Sequence, residues 1–205
     1  MKSNRELRVL EVLRELGLSE EHASIVSSQN PSQNAPYHNS GHLLTVALNC
    51  AEAADYYELG KDEKITLFLS GLYHDYGHSA GKQSDIINIS QAVLCAMRNI
   101  SALEHLPSKA LDVIADNIHA TVQPSLLHGT ELSLQQKIIA DADMMQWHEH
   151  DADEFMAGLS VELGFPVTWE STKEFLSKYK PKTSWGRAKL DALISNIESC
   201  STGSA

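Results

Sequence analysis

The stretch "DEKITLFLSGLYHDYG", residues 62–77, decides the fold class of this chain. Its apolar residues recur at helical spacing, and a helix this apolar belongs in the core of a domain. The apolar run leads directly into two ionisable residues, His74 and Asp75. The sequence therefore predicts a buried helix over 62–75 whose end carries polar groups into the interior.

Helical periodicity covers most of the remaining chain. In "RELRVLEVLREL", residues 5–16, the leucines fall near one stripe, and Gly17 is a suitable stop. Strand-like alternation bounded by hairpin turns is absent. We predict an all-α protein, a single compact helical bundle. Besides 62–75, its helices are expected near 5–16, after Ser19, and near 41–58, 85–101, 108–120, 131–147, 151–163, 169–179 and 184–198.

A chain of 205 residues is long enough for one domain with a substantial core. We expect four regions along it. The N-terminal helices of residues 1–30 pack on the bundle, and residues 31–167 form the core with the candidate site. Residues 168–198 supply C-terminal helices, and residues 199–205 form a disordered tail.

The formal net charge of −11 argues against duplex nucleic acid as a partner, because an acidic surface repels phosphate backbones. No apolar run approaches the ~20 residues of a membrane span. Charged residues interrupt the apolar pattern of the N-terminus, unlike in a secretory signal. Three unclustered cysteines fit reduced thiols. These features predict a cytoplasmic protein that binds neither duplex nucleic acid nor a membrane.

Two further stretches carry candidate metal ligands. In "YHNSGH", residues 37–42, two histidines stand four residues apart where a helix begins, with Cβ atoms roughly 5–6 Å apart if both are helical. In "QQKIIADADMMQW", residues 135–147, Asp141 and Asp143 lie in an apolar helix and differ by about 200° around it. Only one of these aspartates can face a given site, and the helical geometry does not choose between them.

His74 and Asp75 are adjacent, so they converge on one ion only where the helix ends and the backbone turns. Gly77 and Gly81 supply the freedom for that turn. A mixed set of imidazoles and carboxylates suits Mn, Mg, Zn or Fe. The sequence therefore predicts one or two divalent metal ions as cofactors, an arrangement that also fits two-metal attack on phosphorus.

The order His…His-Asp…Asp resembles that of the HD superfamily of metal-dependent phosphohydrolases. "YHNSGH" resembles the Tyr-His-Asn-x-x-His signature of its cyclic-nucleotide phosphodiesterase branch. "HDYGHSAG" is similar to His-Asp-x-x-His-Pro-Gly, with Ser79 and Ala80 where the proline would be. "ADMM" resembles an Ala-Asp-hydrophobic motif and favours Asp143 over Asp141. "EFMAGLSVELGFPV" is similar to Glu-Phe-Phe-x-Gln-Gly-Asp-x-Glu, so the resemblance covers roughly residues 36–167.

The resemblance implies a role for each matching residue. The first metal would be bound by His42, His74, Asp75 and Asp143, with Asp75 bridging to a second. His38 would be the general acid, and His78, the other candidate catalytic residue, would lie near the bridging water. Tyr37 would line the substrate pocket. His119, outside the motifs, is a further candidate for substrate binding, with an exposed helix end as the alternative.

The function implied by the resemblance is metal-dependent hydrolysis of a phosphate monoester or diester. The substrate would be small, phosphorylated and nucleotide-like, attacked by a hydroxide generated at the metal while His38 protonates the leaving oxygen. A C-terminal Gln-x-x-Phe element, which grips the base in the phosphodiesterases, is not found. Two alternatives remain: an HD-fold di-iron oxygenase, which needs extra histidines such as His119, and a non-enzymatic nucleotide or metal binder.

Overall fold

The computed structural model describes residues 2–122, 131–146 and 152–202. Within these ranges the protein is all α-helical and has no β-strand, as predicted. A π-helical turn, Ile25–Gln29, follows the second helix. The α-helices of the described residues are α1 (Asn4–Leu16), α2 (Glu21–Ser24), α3 (Ser40–Tyr56), α4 (Lys61–Tyr73), α5 (Asp85–Leu103), α6 (Ser108–His119), α7 (Leu134–Met144), α8 (Ala152–Leu163), α9 (Trp169–Lys178) and α10 (Ser184–Thr202).

The helix ends follow local sequence signals. Helix α1 begins with a capping box between Ser3 and Glu6 and ends at Gly17, whose φ of 76° is left-handed, as expected for a glycine stop. Helix α7 is shorter than the predicted 131–147, and position 147 lies outside the described residues. Helix α10 continues to Thr202, beyond the point where a tail was predicted, and positions 203–205 lie outside the described residues.

The predicted apolar helix is α4, and it is buried from Thr66 through Tyr73. Its most extensive partner is α3, and α6 and α7 also pack against it. The close approach of α3 depends on Gly71, because a Cβ there would lie 2.9 Å from Cys50 Sγ and 3.0 Å from Ala47 Cα. Helices α3 and α4 therefore form a tight pair, and the candidate ligands lie near its end.

Two apolar clusters flank this pair. One joins α3 and α4 to α1, α5 and α6, and the other joins them to α7, α8, α9 and α10. The N-terminal helix α1 packs on α3, while α10 packs on α9 and α7. Burial of apolar surface on both sides stabilises the pair and fixes the positions of the polar residues at its end.

Helix α5 is long and apolar, and much of its apolar surface is exposed. By length and composition it could cross a membrane, with a mean hydropathy of 1.3 over a window that is 28% buried. Its buried residues, which include Asn88, Ala92 and Ile100, face α6 and α4. Core helices of soluble proteins can have the same length and composition, so these two properties do not decide whether α5 meets a membrane. The expectation that the protein binds no membrane therefore stays a prediction.

Candidate metal centre

The ends of two helices bring the candidate ligands together. Asn39 caps α3 by accepting a hydrogen bond from the backbone N–H of His42 at 3.2 Å, which places that histidine in the first buried turn. Helix α4 ends at Tyr73, and Gly77 adopts a φ of 77° just beyond. His74 and Asp75 can converge on one point only if the backbone turns after α4. The backbone does turn there, and the two side chains converge.

Three side chains meet at one point. Nε2 of His42 lies 3.0 Å from Nε2 of His74, and Oδ2 of Asp75 lies 3.2 Å and 3.3 Å from these two nitrogens. Oδ1 of Asp143 approaches the same nitrogens at 3.4 Å and 3.6 Å. The imidazoles are buried, whereas the side chain of Asp143 is 26% exposed. This His/Asp cluster could hold a metal ion.

The partners of the two imidazoles fix where their protons lie. Nδ1 of His74 lies 2.8 Å from the carbonyl oxygen of Gly71, which can only accept. Nδ1 of His42 lies 2.6 Å from Oε1 of Gln146, whose amide N–H donates to the Tyr37 hydroxyl. Both neutral rings therefore carry their proton on Nδ1 and turn the Nε2 lone pair toward Asp75. In these tautomers the two Nε2 lone pairs and the Asp75 carboxylate face one another, and a cation, either a proton or a metal ion, fits between them.

Asp141 and Asp143, between which helical geometry did not choose, have separate environments. Asp143 faces the imidazoles, whereas Asp141 is fully buried on another side of α7. The Asp141 carboxylate accepts hydrogen bonds from the Tyr179 hydroxyl at 2.6 Å, from Thr183 Oγ1 at 2.6 Å and from the Thr183 backbone N–H at 2.8 Å. Asp141 thus anchors the segment before α10 and does not belong to the cluster.

The carboxylates control the charge of the metal-free cluster. Burial lowers the pKa of His74, but the charges and hydrogen bonds of Asp75 and Asp143 outweigh it and hold that pKa well above the ordinary value. Burial raises the pKa of Asp75, but the positive charge and hydrogen bonds of the histidines hold it well below the ordinary value. The metal-free cluster therefore favours a proton on His74, and a metal bound at the same nitrogen would displace it.

His38 lies beside the cluster and pairs with a residue that sequence reasoning missed. Its Nδ1 is 2.6 Å from Oε2 of Glu162, and its Nε2 is 3.8 Å from Oδ2 of Asp75. Oε1 of Glu162 accepts the backbone N–H groups of Tyr37 and His38 at 2.8 Å and 3.1 Å. Glu162 ends "EFMAGLSVE", a segment whose family resemblance implied no role for this residue.

The His38–Glu162 pair favours a protonated imidazole. Burial lowers the pKa of His38, yet the hydrogen bond to Glu162 and the charge of Asp75 raise it above its ordinary value overall. Burial raises the pKa of Glu162, but its hydrogen bond with His38 lowers it to about 2. His38 is 22% exposed, so a ligand can reach it. A raised pKa and partial exposure beside the cluster are the properties expected of a proton donor.

The remaining candidates lie at different distances from the cluster. The His78 ring stacks on His38 with centroids 3.6 Å apart. Tyr37 is buried, and its ring centroid lies 5.1 Å from that of His42. Burial raises the pKa of the Tyr37 hydroxyl well above the ordinary value. His119 is the exposed last residue of α6, and no hydrogen bond or ion pair in the described part of the chain joins it to the cluster. Its role in substrate binding stays a prediction.

A second group of side chains, His38, His78 and Glu162, also lies close enough for one ion. The backbone N–H of Ala80 faces Nδ1 of His78, so that ring nitrogen is engaged. The Glu162 carboxylate is engaged as well, because it already bonds His38.

Besides Glu162, Gln146 is a residue that the sequence did not single out. It falls at the end of "ADADMMQ", and no residue pattern marks it as the partner of His42.

Comparison with models of known protein families and with curated proteins gave no match.

Proposed function

We propose that this protein is a metal-dependent hydrolase that cleaves a phosphate ester of a small, nucleotide-like molecule. The observation that supports the proposal best is the convergence of His42 Nε2, His74 Nε2 and Asp75 Oδ2 within 3.0–3.3 Å, next to the His38–Glu162 pair. A set of cation ligands beside an imidazole whose pKa is raised supplies the two functions that ester hydrolysis requires.

The residues that would hold the metal are His42, His74, Asp75 and Asp143. When bound, a divalent ion would supply Lewis acidity toward a phosphoryl oxygen and would lower the pKa of a coordinated water. Gln146 and the Gly71 carbonyl keep the two imidazoles in the tautomer that turns Nε2 inward. Such outer partners typically raise metal affinity by about 10–100-fold.

His38 is the general acid of the proposal. The alkoxide leaving group of an ester needs a proton, and Glu162 and Asp75 favour the charged form of His38, which raises its pKa despite its burial. Glu162 binds Nδ1 of His38 and two backbone N–H groups of residues 37 and 38, so it also fixes the ring orientation. Nε2 is left on the side of Asp75, where it can deliver the proton.

The di-iron oxygenase receives less support from the geometry. A second iron would need further histidines, and the best candidate, His119, has an exposed side chain at the end of α6. Among the described residues, His78 is the other histidine near the cluster, and it stacks on His38. We therefore retain phosphate-ester hydrolysis as the function to test first.

The test is elemental analysis of the purified protein followed by a panel of phosphate monoesters and diesters with added Mn, Mg and Zn. We expect about one to two metals per chain and metal-dependent hydrolysis of one ester class. Two irons without hydrolysis would instead support the oxygenase. Failure to bind any metal under all loading conditions would contradict the proposal.

A further inference from the structure

The turn between α4 and α5 holds a small hydrogen-bond network beside the candidate metal centre. The backbone N–H of Ala80 points at Nδ1 of His78 at 3.1 Å, and the backbone N–H of Ser79 points at Oδ1 of Asn88 at 3.1 Å. The two side chains then meet each other, with Nδ2 of Asn88 2.9 Å from Nε2 of His78. Asn88 is only 3% exposed, so solvent does not satisfy it freely.

This network has more donors than acceptors. Neutral His78 has one ring N–H and one lone pair, and Asn88 offers one carbonyl oxygen and one amide group. Two backbone N–H groups compete for those acceptors. If Ala80 donates to Nδ1, the ring proton lies on Nε2 and faces the amide N–H of Asn88. Two donors then stand 2.9 Å apart with no acceptor between them.

No rearrangement within the network removes the conflict. Rotating the Asn88 amide presents its oxygen to His78 but turns its N–H groups toward the Ser79 N–H. Moving the ring proton to Nδ1 satisfies Asn88 but sets that proton against the Ala80 N–H. Protonating His78 adds a further donor. Each arrangement therefore leaves at least one buried or half-buried donor unmatched, which is costly.

An oxyanion relieves this surplus better than a water molecule does. An anionic oxygen brings only lone pairs, whereas a water brings two further hydrogens that need acceptors of their own. The network is also next to the reaction centre, because the His78 ring stacks on His38 at 3.6 Å and His38 Nε2 lies 3.8 Å from Asp75 Oδ2. An oxygen bound here would belong to a group held near those residues.

We propose that His78 and Asn88 form an oxyanion subsite that binds a non-bridging phosphoryl oxygen of the substrate. The inference rests on the proposed function for the identity of the anion, but its physical basis is the donor surplus alone. His78 Nε2–H and the Asn88 amide N–H donate to the oxygen, while Ala80 and Ser79 keep both side chains in place. In this subsite the two residues bind and orient the substrate, and the proton for the leaving group comes from His38.

Asn88→Asp tests the subsite because it reverses the balance of donors and acceptors. The new carboxylate accepts from both Ser79 N–H and His78 Nε2–H, so the melting temperature of the ligand-free protein should rise. The same carboxylate repels an anion and no longer donates to it. Calorimetric titration of the metal-loaded protein with inorganic phosphate, at constant ionic strength, should therefore show affinity reduced about tenfold or more.

The matched control is Asn117→Asp, a second buried asparagine at 1% exposure in a different network. Asn117 donates to Ser70 Oγ at 3.2 Å and to Gln135 Oε1 at 3.0 Å, so its loss should lower the melting temperature and leave phosphate affinity unchanged. His78→Phe keeps the ring stack and removes the Nε2 donor. This variant should also weaken phosphate binding. It replaces Asn88→Asp as the test if the Asn88 variant does not fold.

Wild-type phosphate affinity in Asn88→Asp, or a lowered melting temperature of that variant without phosphate, would overturn the subsite. Either result could occur in an active hydrolase, so it would leave the proposed function standing. Conversely, phosphate binding that depends on Asn88 in a protein that hydrolyses no ester would sustain the subsite and refute the hydrolase.

Discussion

Asp141 and Asp143 are separated by one residue on α7, yet their carboxylates serve different parts of the molecule. Asp143 Oδ1 lies 3.4 Å from His42 Nε2, while Asp141 Oδ2 accepts the Thr183 hydroxyl and backbone N–H. The helical rotation of about 200° between them separates the two roles. One helix therefore carries a candidate metal ligand on one face and a structural anchor on another.

The two aspartates give a matched pair of variants. Asp143→Asn should lower metal content and activity together, and should destabilise the metal-free protein less than Asp141→Asn does, because the Asp143 side chain is 26% exposed. Asp141→Asn should destabilise folding by on the order of 3 kcal/mol, because an amide N–H would face buried donors. Metal analysis and chemical denaturation of both variants measure these effects. Full metal occupancy in Asp143→Asn would contradict its role as a ligand.

Glu162→Gln tests the proton donor. The glutamine keeps an acceptor for the two backbone N–H groups but removes the charge that raises the His38 pKa. His38 acts when protonated, so activity should fall as pH rises through its pKa, and the variant should lose activity at lower pH than wild type. Esters with poor leaving groups should be affected most.

His38→Ala should give the complementary result. Metal content should stay at the wild-type level, while turnover of unactivated esters should fall by about 10²–10⁴-fold. If His38→Ala hydrolysed both activated and unactivated esters as fast as the wild-type protein does, His38 would be excluded as the acid.

Metal removal should destabilise the protein in a pH-dependent way. The raised pKa of His74 means that metal-free folding is favoured by protonation below the ordinary histidine pKa, and that this stabilisation is lost as pH rises through the raised value. The metal replaces the proton, so the drop in melting temperature caused by a chelator should be larger at alkaline than at mildly acidic pH. A drop that shrinks with rising pH would contradict this linkage.

Gly158→Ala tests how α8 is placed against the site. A Cβ at Gly158 would overlap the carbonyl oxygen of Pro36, just before Tyr37 and His38. Pushing α8 away would lengthen the Glu162–His38 hydrogen bond, so the variant should lose stability by about 1–3 kcal/mol and also lose activity. Glu154→Ala, on the exposed face of α8, is the control and should change neither.

The sequence predicted much of this arrangement because its signals were local. The apolar period of residues 62–77 defined α4, and Gly77 marked the turn that lets His74 and Asp75 converge. The residues that bind His42 and His38 could not be predicted in this way, because they are distant in the sequence. Gln146 and Glu162 lie 104 and 124 residues from His42 and His38, and only the packing of α7 and α8 brings them into contact. Glutamine and glutamate are common on helix surfaces, so neither stood out.

The choice between Asp141 and Asp143 shows the same limit. Both occupy one apolar stretch, and the resemblance favoured Asp143 by motif alone. What separates them is the segment at Tyr179–Thr183, which covers Asp141 from a distant part of the chain. A buried carboxylate can be satisfied by a metal or by N–H and O–H donors, and the sequence does not show which donors will arrive.

The long separation of Glu162 from His38 has a consequence for the order in which the protein matures during synthesis. The candidate metal ligands end at Asp143, so the ribosome releases all of them before it releases Glu162 and, later, Thr183. Glu162 is therefore synthesised after every candidate ligand, and Thr183, which binds the buried Asp141, is synthesised after Glu162. The ligands of the proposed metal and the partner of the proposed proton donor thus come from different parts of the chain, so a truncation between residues 143 and 162 would separate the two.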